Sequence, residues 1–127
     1  MADTQIIQSF IAAGTITEFA LVSIDGNGKV VVTTAGTDKK CVGVAQRAAS
    51  VGDPVDVVIS GVTRAIAGAS ITFTDSLVMA AAGGDVVKHE TATNYSIGRV
   101  VPNINQTSAA NNDQLTIVFT GPTNLIP

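Results

Sequence analysis

Alternating hydrophobic and polar residues mark one segment near the middle of the chain as a β-strand. Residues 52–61 read Gly-Asp-Pro-Val-Asp-Val-Val-Ile-Ser-Gly, with a glycine at each end. Val55, Val57 and Ile59 fall on one face, because successive side chains of a strand point to opposite sides of a sheet. The pattern therefore predicts a strand with that face turned toward the core.

A similar segment follows 60 residues later (113 − 53 = 60), where residues 112–121 read Asn-Asp-Gln-Leu-Thr-Ile-Val-Phe-Thr-Gly. Shorter matches precede it, such as Ile16-Thr17 with Ile71-Thr72 (71 − 16 = 55). Insertions in the loops of duplicated units produce such small changes of offset. We therefore predict an internal repeat of about 15–61 and 70–121, and the alternative is chance similarity between segments rich in valine, threonine and glycine.

Turn signals separate the strand-sized segments along the chain. Asp25-Gly26-Asn27-Gly28 joins residues 17–24 to residues 29–34, and an Asn-Gly pair favours the tight turn of a hairpin. Residues 41–46 form another short strand, in which Gly43 indicates a bulge or a close approach of two backbones. Short strands at regular spacing, few aromatic residues and no long helical stripe predict an all-β fold, either a small β-barrel or a β-sandwich.

The first 14 residues are predicted to form an N-terminal arm, followed by a single β domain with one core over residues 15–127. The arm carries Ile6, Ile7, Phe10 and Ile11, a spacing that fits one face of a short helix or an extended segment. Terminal segments remain mobile unless they dock, so we expect these side chains to pack on the core or on another chain. Leu125 and Ile126, near the other end, are expected to join that partner contact.

Charged residues make up 13% of the chain, against roughly 25% in an ordinary soluble domain. Hydrophobic residues reach 46% and the mean hydropathy is +0.39. We therefore expect an exterior of small polar residues together with apolar surface that another subunit or partner covers. The net charge is −3 and the basic residues are scattered, which argues against nucleic acid as a partner.

The sequence shows no signal for export or for membrane insertion. The first residues lack the basic and apolar regions of a signal peptide, and no apolar run approaches the roughly 20 residues of a membrane helix. The single cysteine, Cys41, cannot form an internal disulfide and is expected to be a small core residue. We expect the protein to mature in the cytoplasm.

Motifs for catalysis, cofactors and metals are absent. The sole histidine, His89, falls at the end of a hairpin and is expected at the surface. Asp25-Gly26-Asn27-Gly28 lacks the distal glutamate and other ligands of a calcium loop, so we expect no metal and no cofactor. The acidic residues are spread singly through turns, so the chain is not expected to be an enzyme. Two acids meeting across a cleft, as in glycoside hydrolases, remain an alternative.

Three segments together resemble a known family: ITEFALVSIDGNGKV (16–30), CVGVAQ (41–46) and ASVGDPVDVVISG (49–61). They are similar to the capsid cement proteins, also called head decoration proteins, of tailed bacteriophages. The likeness covers about residues 16–121 and depends on a strand ending in Val-Gly-Val, followed by Gly-Asp and a valine-rich strand. It includes no catalytic or ligand-binding motif.

The resemblance implies a non-enzymatic structural protein of the virion. Such a protein binds the major capsid protein on the outer surface of the expanded phage head, commonly as a homotrimer, and stabilises the shell. The alternative is a β module displayed on the virion to bind carbohydrate or a host surface. Sugar sites usually present exposed aromatic side chains, and Tyr95 is the best candidate for that role.

Overall fold

The computed structural model describes residues 5–74, 77–89, 94–102 and 106–123 and shows an all-β fold, as the sequence predicted. Within these residues the chain has 11 strands and one short 3-10 segment, Ala82–Gly84. The strands are β1 (Ile6–Ile11), β2 (Leu21–Ile24), β3 (Val30–Val32), β4 (Cys41–Ala45), β5 (Pro54–Ile66), β6 (Ile71–Thr72), β7 (Leu77–Ala80), β8 (Val86–Lys88), β9 (Ser96–Val100), β10 (Ser108–Ala109) and β11 (Gln114–Thr123). No helix among the described residues has the length and apolar character to cross a membrane.

The long strand β5 organises the sheet. The strand order is β3-β2-β4-β5-β11-β9-β7-β8, and β1 pairs with β5 beside this path. Residues 54–60 of β5 pair antiparallel with β1 and β4, whereas residues 61–66 pair antiparallel with β11. We name the strands β1–β4 with residues 54–60 the first unit, and residues 61–66 with β6–β11 the second unit.

Each unit curls back on itself. After β1, Ala12 forms a parallel bridge with Val30 of β3. After β5, Ala67 forms the corresponding parallel bridge with Val86 of β8. Because each bridge brings the end of the first strand of a unit to the last strand in its order, both sheets close toward small barrels.

The strand pairings of the first unit recur in the second. The β2–β3 and β7–β8 hairpins share a register, with Val22 opposite Val32 and Val78 opposite Lys88. The β2–β4 and β7–β9 pairs are both irregular at the same step, after Val22 and after Val78. The antiparallel pair Ile16–Ala49 corresponds to Ile71–Ala109 of strands β6 and β10.

Hydrophobic residues form two clusters, whereas the sequence was expected to give one core. The first core contains Ala12, Ile16, Ala20, Val22, Val30, Ala45, Ala49, Val55 and Val57. The second core contains mainly residues of the second unit, such as Ile71, Val78, Leu115, Ile117 and Phe119. It also includes Leu21, Cys41 and Val44, so the first unit packs against the second. The prediction of a single core was wrong, because each curled sheet encloses its own interior.

Several local predictions are confirmed. Val55 and Val57 lie in the first core with Ile59 packed against it, as the alternating pattern predicted. The hairpin turn at residues 25–28 joins β2 to β3, and Cys41 is buried. The sequence made no choice between a helix and an extended arm for the N-terminal segment, and the structure shows it extended, because residues 6–11 form β1.

Candidate partner-binding surface

Strand β1 leaves one of its edges without a neighbouring strand. It pairs with β5 along its length, from Ile6 opposite Ser60 to Ile11 opposite Pro54, and the described residues place no strand along its other side. The sequence of β1, Ile-Ile-Gln-Ser-Phe-Ile, contains no charge and no proline. Proteins usually protect a free strand edge with charges, proline or bulges, since such an edge readily pairs with another chain. This edge is therefore suited to contact with a partner.

Large apolar side chains surround this edge. Ile6 is 59% exposed, Ile7 51% and Ile11 41%, and Val51 and Val62 are also exposed. We call these residues the β1 surface. Val62 belongs to β5 and lies beside the start of β1, where Gln5 Nε2 donates a hydrogen bond of 2.6 Å to the Val62 carbonyl oxygen. Val51 lies near its end, where the next residue, Gly52, donates its N–H to the carbonyl oxygen of Ala12 at 2.8 Å.

The structure separates the residues that the sequence proposed for partner binding. Phe10 is half-buried and packs against the first core, so it anchors β1. Ile6, Ile7 and Ile11 remain exposed and together supply the apolar character of the edge. Leu125 and Ile126 lie outside the described residues. Val51 and Val62 were missed because only the pairing of β1 with β5 brings them beside the N-terminal strand.

Few polar contacts interrupt this surface. Ser9 donates from Oγ to Asp56 Oδ1 at 2.8 Å across the β1–β5 pair. Arg47 Nη2 donates to the Pro54 carbonyl oxygen at 3.3 Å. Both charged groups are therefore engaged within the chain, and desolvation of the isoleucines is expected to dominate binding at this surface.

A cleft of about 330 Å³ opens beside Val62. Its lining includes Phe19, whose φ of 62° is rare for a bulky residue, together with Gln46, Thr63 and Arg64. Gln46 Nε2 donates to Thr63 Oγ1 at 3.0 Å, and Arg64 Nη1 donates to Gln114 Oε1 at 3.0 Å. Gln46 thus bonds within the cleft, whereas Arg64 bonds to Gln114 outside its lining. Sequence reasoning missed this cleft because its lining comes from five separated segments.

The histidine predicted at the surface is buried, so that prediction was wrong. His89 is 6% exposed, and its Nε2 lies 3.0 Å from the carbonyl oxygen of Asn94. Its Nδ1 has no hydrogen-bond partner among the described residues. Next to Asn94, the N–H of Tyr95 donates to the carbonyl oxygen of Gly36 in the first unit at 2.9 Å. The hairpin pattern did not reveal this contact between the units.

Tyr95, the candidate for sugar binding, is half-buried. Its backbone takes part in the contact between the two units just described. The structure does not bring it into the cleft beside Val62, whose aromatic residue is Phe19.

A buried polar cluster in the first unit contains a serine and an aspartate. Ser23 Oγ lies 2.7 Å from Thr33 Oγ1 and donates to Asp38 Oδ2 at 2.8 Å. Ser23 is only 2% exposed, so a substrate would not reach its hydroxyl group. This cluster therefore stabilises the fold rather than forming a nucleophile.

Two titratable side chains in the described part of the chain have shifted pKa values with clear structural causes. Burial raises the pKa of the Cys41 thiol to about 11, which disfavours the reactive thiolate. The pKa of Asp25 is lowered because the N–H groups of Asn27 and Lys29 donate to its carboxylate at 2.8 and 2.9 Å. No group of three or more potential metal-ligating side chains (His, Cys, Asp, Glu) forms in the described part of the chain.

Fold and surface together define a class: a small all-β protein of two curled units with an exposed apolar edge strand. No family model and no curated protein matches the sequence. A solved structure does match, the head fiber gp8.5 N base of bacteriophage phi29. The two chains share 15% sequence identity at a TM-score of 0.71, and the match covers 94% of this chain and 98% of the phi29 chain. At this identity the likeness shows a common fold.

Proposed function

We propose that this chain is a non-enzymatic structural protein of a bacteriophage virion, attached to the outside of the head. The observation that carries the proposal is the match of fold over nearly the whole of both chains to the base of a phage head fiber. The resemblance of residues 16–121 to cement proteins, found from sequence alone, points to the same part of the virion.

In its finer form, the proposal is that the protein is a cement protein. Homotrimers would bind the major capsid protein on the outer surface of the expanded head and stabilise the shell. The low charge supports this role, because only 13% of residues are charged and an apolar exterior favours association. Contacts repeated over many capsid copies add up through multivalency, so a modest affinity at each site is sufficient.

The β1 surface is the proposed site of capsid contact. Its isoleucines are exposed, its edge is uncharged, and its backbone groups on the free side are available to pair with an extended segment of the capsid protein. Leu125 and Ile126 are proposed to add to this contact.

A second candidate follows from the phi29 match, since that protein is the base of a fiber. The present chain would then anchor a projecting fiber to the head instead of covering the shell. The two roles differ in how many copies a particle requires.

The copy number of this protein in purified virions tests both roles. Quantitative mass spectrometry against the major capsid protein would give a ratio near one to one for a cement protein. A much lower ratio in isolated heads would support the fiber base. Its absence from heads would overturn the proposed function and favour tail-associated or glycan-binding roles.

A further inference from the structure

The cleft beside Val62 is built where the two units meet. Phe19 and Gln46 come from the first unit, whereas Thr63 and Arg64 come from the part of β5 that belongs to the second. The volume of the cleft, about 330 Å³, falls within the range of roughly 300–1,000 Å³ typical of sites for small molecules. The junction of the units therefore has room for a small ligand.

Phe19 gives the cleft a rigid aromatic wall. Its N–H donates to the Ala45 carbonyl oxygen of the first unit at 2.9 Å, while its side chain packs against the second core. Its left-handed backbone, with φ of 62°, is a strained conformation for a bulky residue, and such strain is often found at binding sites. Because both units hold Phe19, a ligand meets a ring that is already in place.

Two hydrogen bonds fix the side-chain amide of Gln46. Its Nε2 donates to the Val44 carbonyl oxygen and to Thr63 Oγ1, each at 3.0 Å. A carbonyl oxygen can only accept, so the atom beside the Val44 oxygen must be the amide nitrogen. Within the described part of the chain, no group donates to the other amide atom, Oε1. Gln46 therefore offers a ligand a hydrogen-bond acceptor in a fixed orientation.

Arg64 is the one charged residue among the described residues that line the cleft. Its Nη1 donates to Gln114 Oε1 at 3.0 Å, which engages one of the five N–H groups of the guanidinium. No acidic side chain of the described residues forms an ion pair with it. A guanidinium binds a carboxylate through strong, charge-assisted hydrogen bonds. The cleft therefore favours a ligand that carries a carboxylate.

We propose that this cleft binds a hexuronic acid, a sugar residue that carries a carboxylate. The carboxylate pairs with Arg64, a ring hydroxyl donates to Gln46 Oε1, and the apolar face of the sugar packs against Phe19. Sugar hydroxyls both donate and accept, which matches a lining of amide, hydroxyl and guanidinium groups. A glutamate side chain of a partner protein also carries a carboxylate, but it lacks the ring and the hydroxyl groups. The site excludes Tyr95 and adds a binding activity to the proposed structural role.

NMR titration of the isotope-labelled full chain tests the site with three probes. D-glucuronate carries both the sugar ring and the carboxylate, D-glucose only the ring, and N-acetylglutamate amide only the carboxylate. With glucuronate we expect saturable shifts of the amide signals of Phe19, Gln46 and Arg64, at a dissociation constant of roughly millimolar order. The other two probes should bind at least about tenfold more weakly, because each lacks one part of the match.

A pair of arginine variants checks the role of the charge. Arg64→Gln should lower the affinity for glucuronate about tenfold, since it removes a charge-assisted hydrogen bond. Arg47→Gln is the matched control and should bind as the unmodified protein does. Arg47 is also exposed and also donates to an acceptor of the chain, the Pro54 carbonyl oxygen, but it does not line the cleft.

Several results would overturn the proposal. They are the absence of saturable shifts with glucuronate, equal binding of the three probes, shifts confined to residues away from the cleft, and equal affinities of the two arginine variants. The amide spectrum of each variant shows directly whether it is folded. Since neither capsid nor virion is present, these results are independent of the proposed function.

Discussion

Gly43 and Gly98 occupy the same place in the two units, and each lies directly against the carbonyl group of a valine on the next strand. A Cβ atom added at Gly43 would overlap the Val58 carbonyl oxygen, and one at Gly98 would overlap that of Val118. Val44 pairs with Val58, and Arg99 pairs with Val118, so each glycine immediately precedes the pairing residue. At this contact, both sheets therefore require a residue without a Cβ atom.

Alanine at either glycine should therefore destabilise the protein. The obstructing atom belongs to the backbone of a central strand and cannot move aside as a side chain would. We expect Gly43→Ala and Gly98→Ala each to lower the free energy of unfolding by about 1–3 kcal/mol or more. Urea denaturation measures the change. Gly26→Ala is the control, since no heavy atom lies within 4 Å of a Cβ there, and equal losses in all three variants would refute the explanation.

The Ser23 cluster allows a buried and an exposed hydrogen bond to be compared. Ser23→Ala leaves Thr33, which is fully buried, without the Ser23 hydroxyl, and should cost about 1–3 kcal/mol. Ser9→Ala removes an exposed hydrogen bond to Asp56 of the same length as that from Ser23 to Asp38, and should cost about 0.5 kcal/mol or less. Thermal or chemical denaturation of both variants gives the two values. Similar losses would contradict a stabilising role for burial.

Cys41 should make stability fall in alkaline solution. Burial raises its pKa from 9.0 to about 11, so between these values the unfolded chain loses the thiol proton and the folded chain keeps it. The unfolded state then binds fewer protons, and the free energy of unfolding decreases by about 2–3 kcal/mol at most as pH rises through this window. Denaturation of wild type and Cys41→Ala at several pH values measures it. Parallel profiles for the two proteins would exclude Cys41 as the cause.

Serine at Ile6 and Ile7 should weaken attachment to phage heads without unfolding the protein. Burying one isoleucine side chain is worth about 1.5–3 kcal/mol, so the double variant should lose at least about tenfold in affinity. Co-sedimentation with heads lacking the protein measures binding, and denaturation checks the fold. Thr72→Ala, an exposed change in β6, is the control. Unchanged binding of Ile6→Ser/Ile7→Ser would remove the β1 surface from the proposed contact.

The sequence predicted the β class and several strands because their signals are local. Alternation at Val55 and Val57, and the Asn27-Gly28 turn, each act within a few residues. The similarity between β1 and the second half of β5 was not recognised, since only Ile11/Ile66 and Ala12/Ala67 are identical over residues 6–12 and 61–67. That similarity becomes visible in the pairing, since β1 pairs antiparallel with residues 54–60 of β5 and residues 61–66 pair antiparallel with β11.

The candidate surface was only partly predictable for the same reason. The isoleucines of the N-terminal segment stood out as apolar residues near a terminus, and in the structure Ile6, Ile7 and Ile11 are exposed. Phe10 could not be distinguished from them, because its burial depends on which side of β1 faces the first core. His89 was misplaced because the hairpin pattern does not show its contact with the Asn94 carbonyl oxygen, which accompanies its burial.

Strand β5 gives the molecule a mechanical continuity that separate domains lack. Its 13 residues, at roughly 3.3 Å each, form one continuous strand of about 40 Å that belongs to both curled sheets. Tension applied to one sheet passes to the other through covalent backbone, without a flexible linker to absorb it. The two cores should therefore yield together under load.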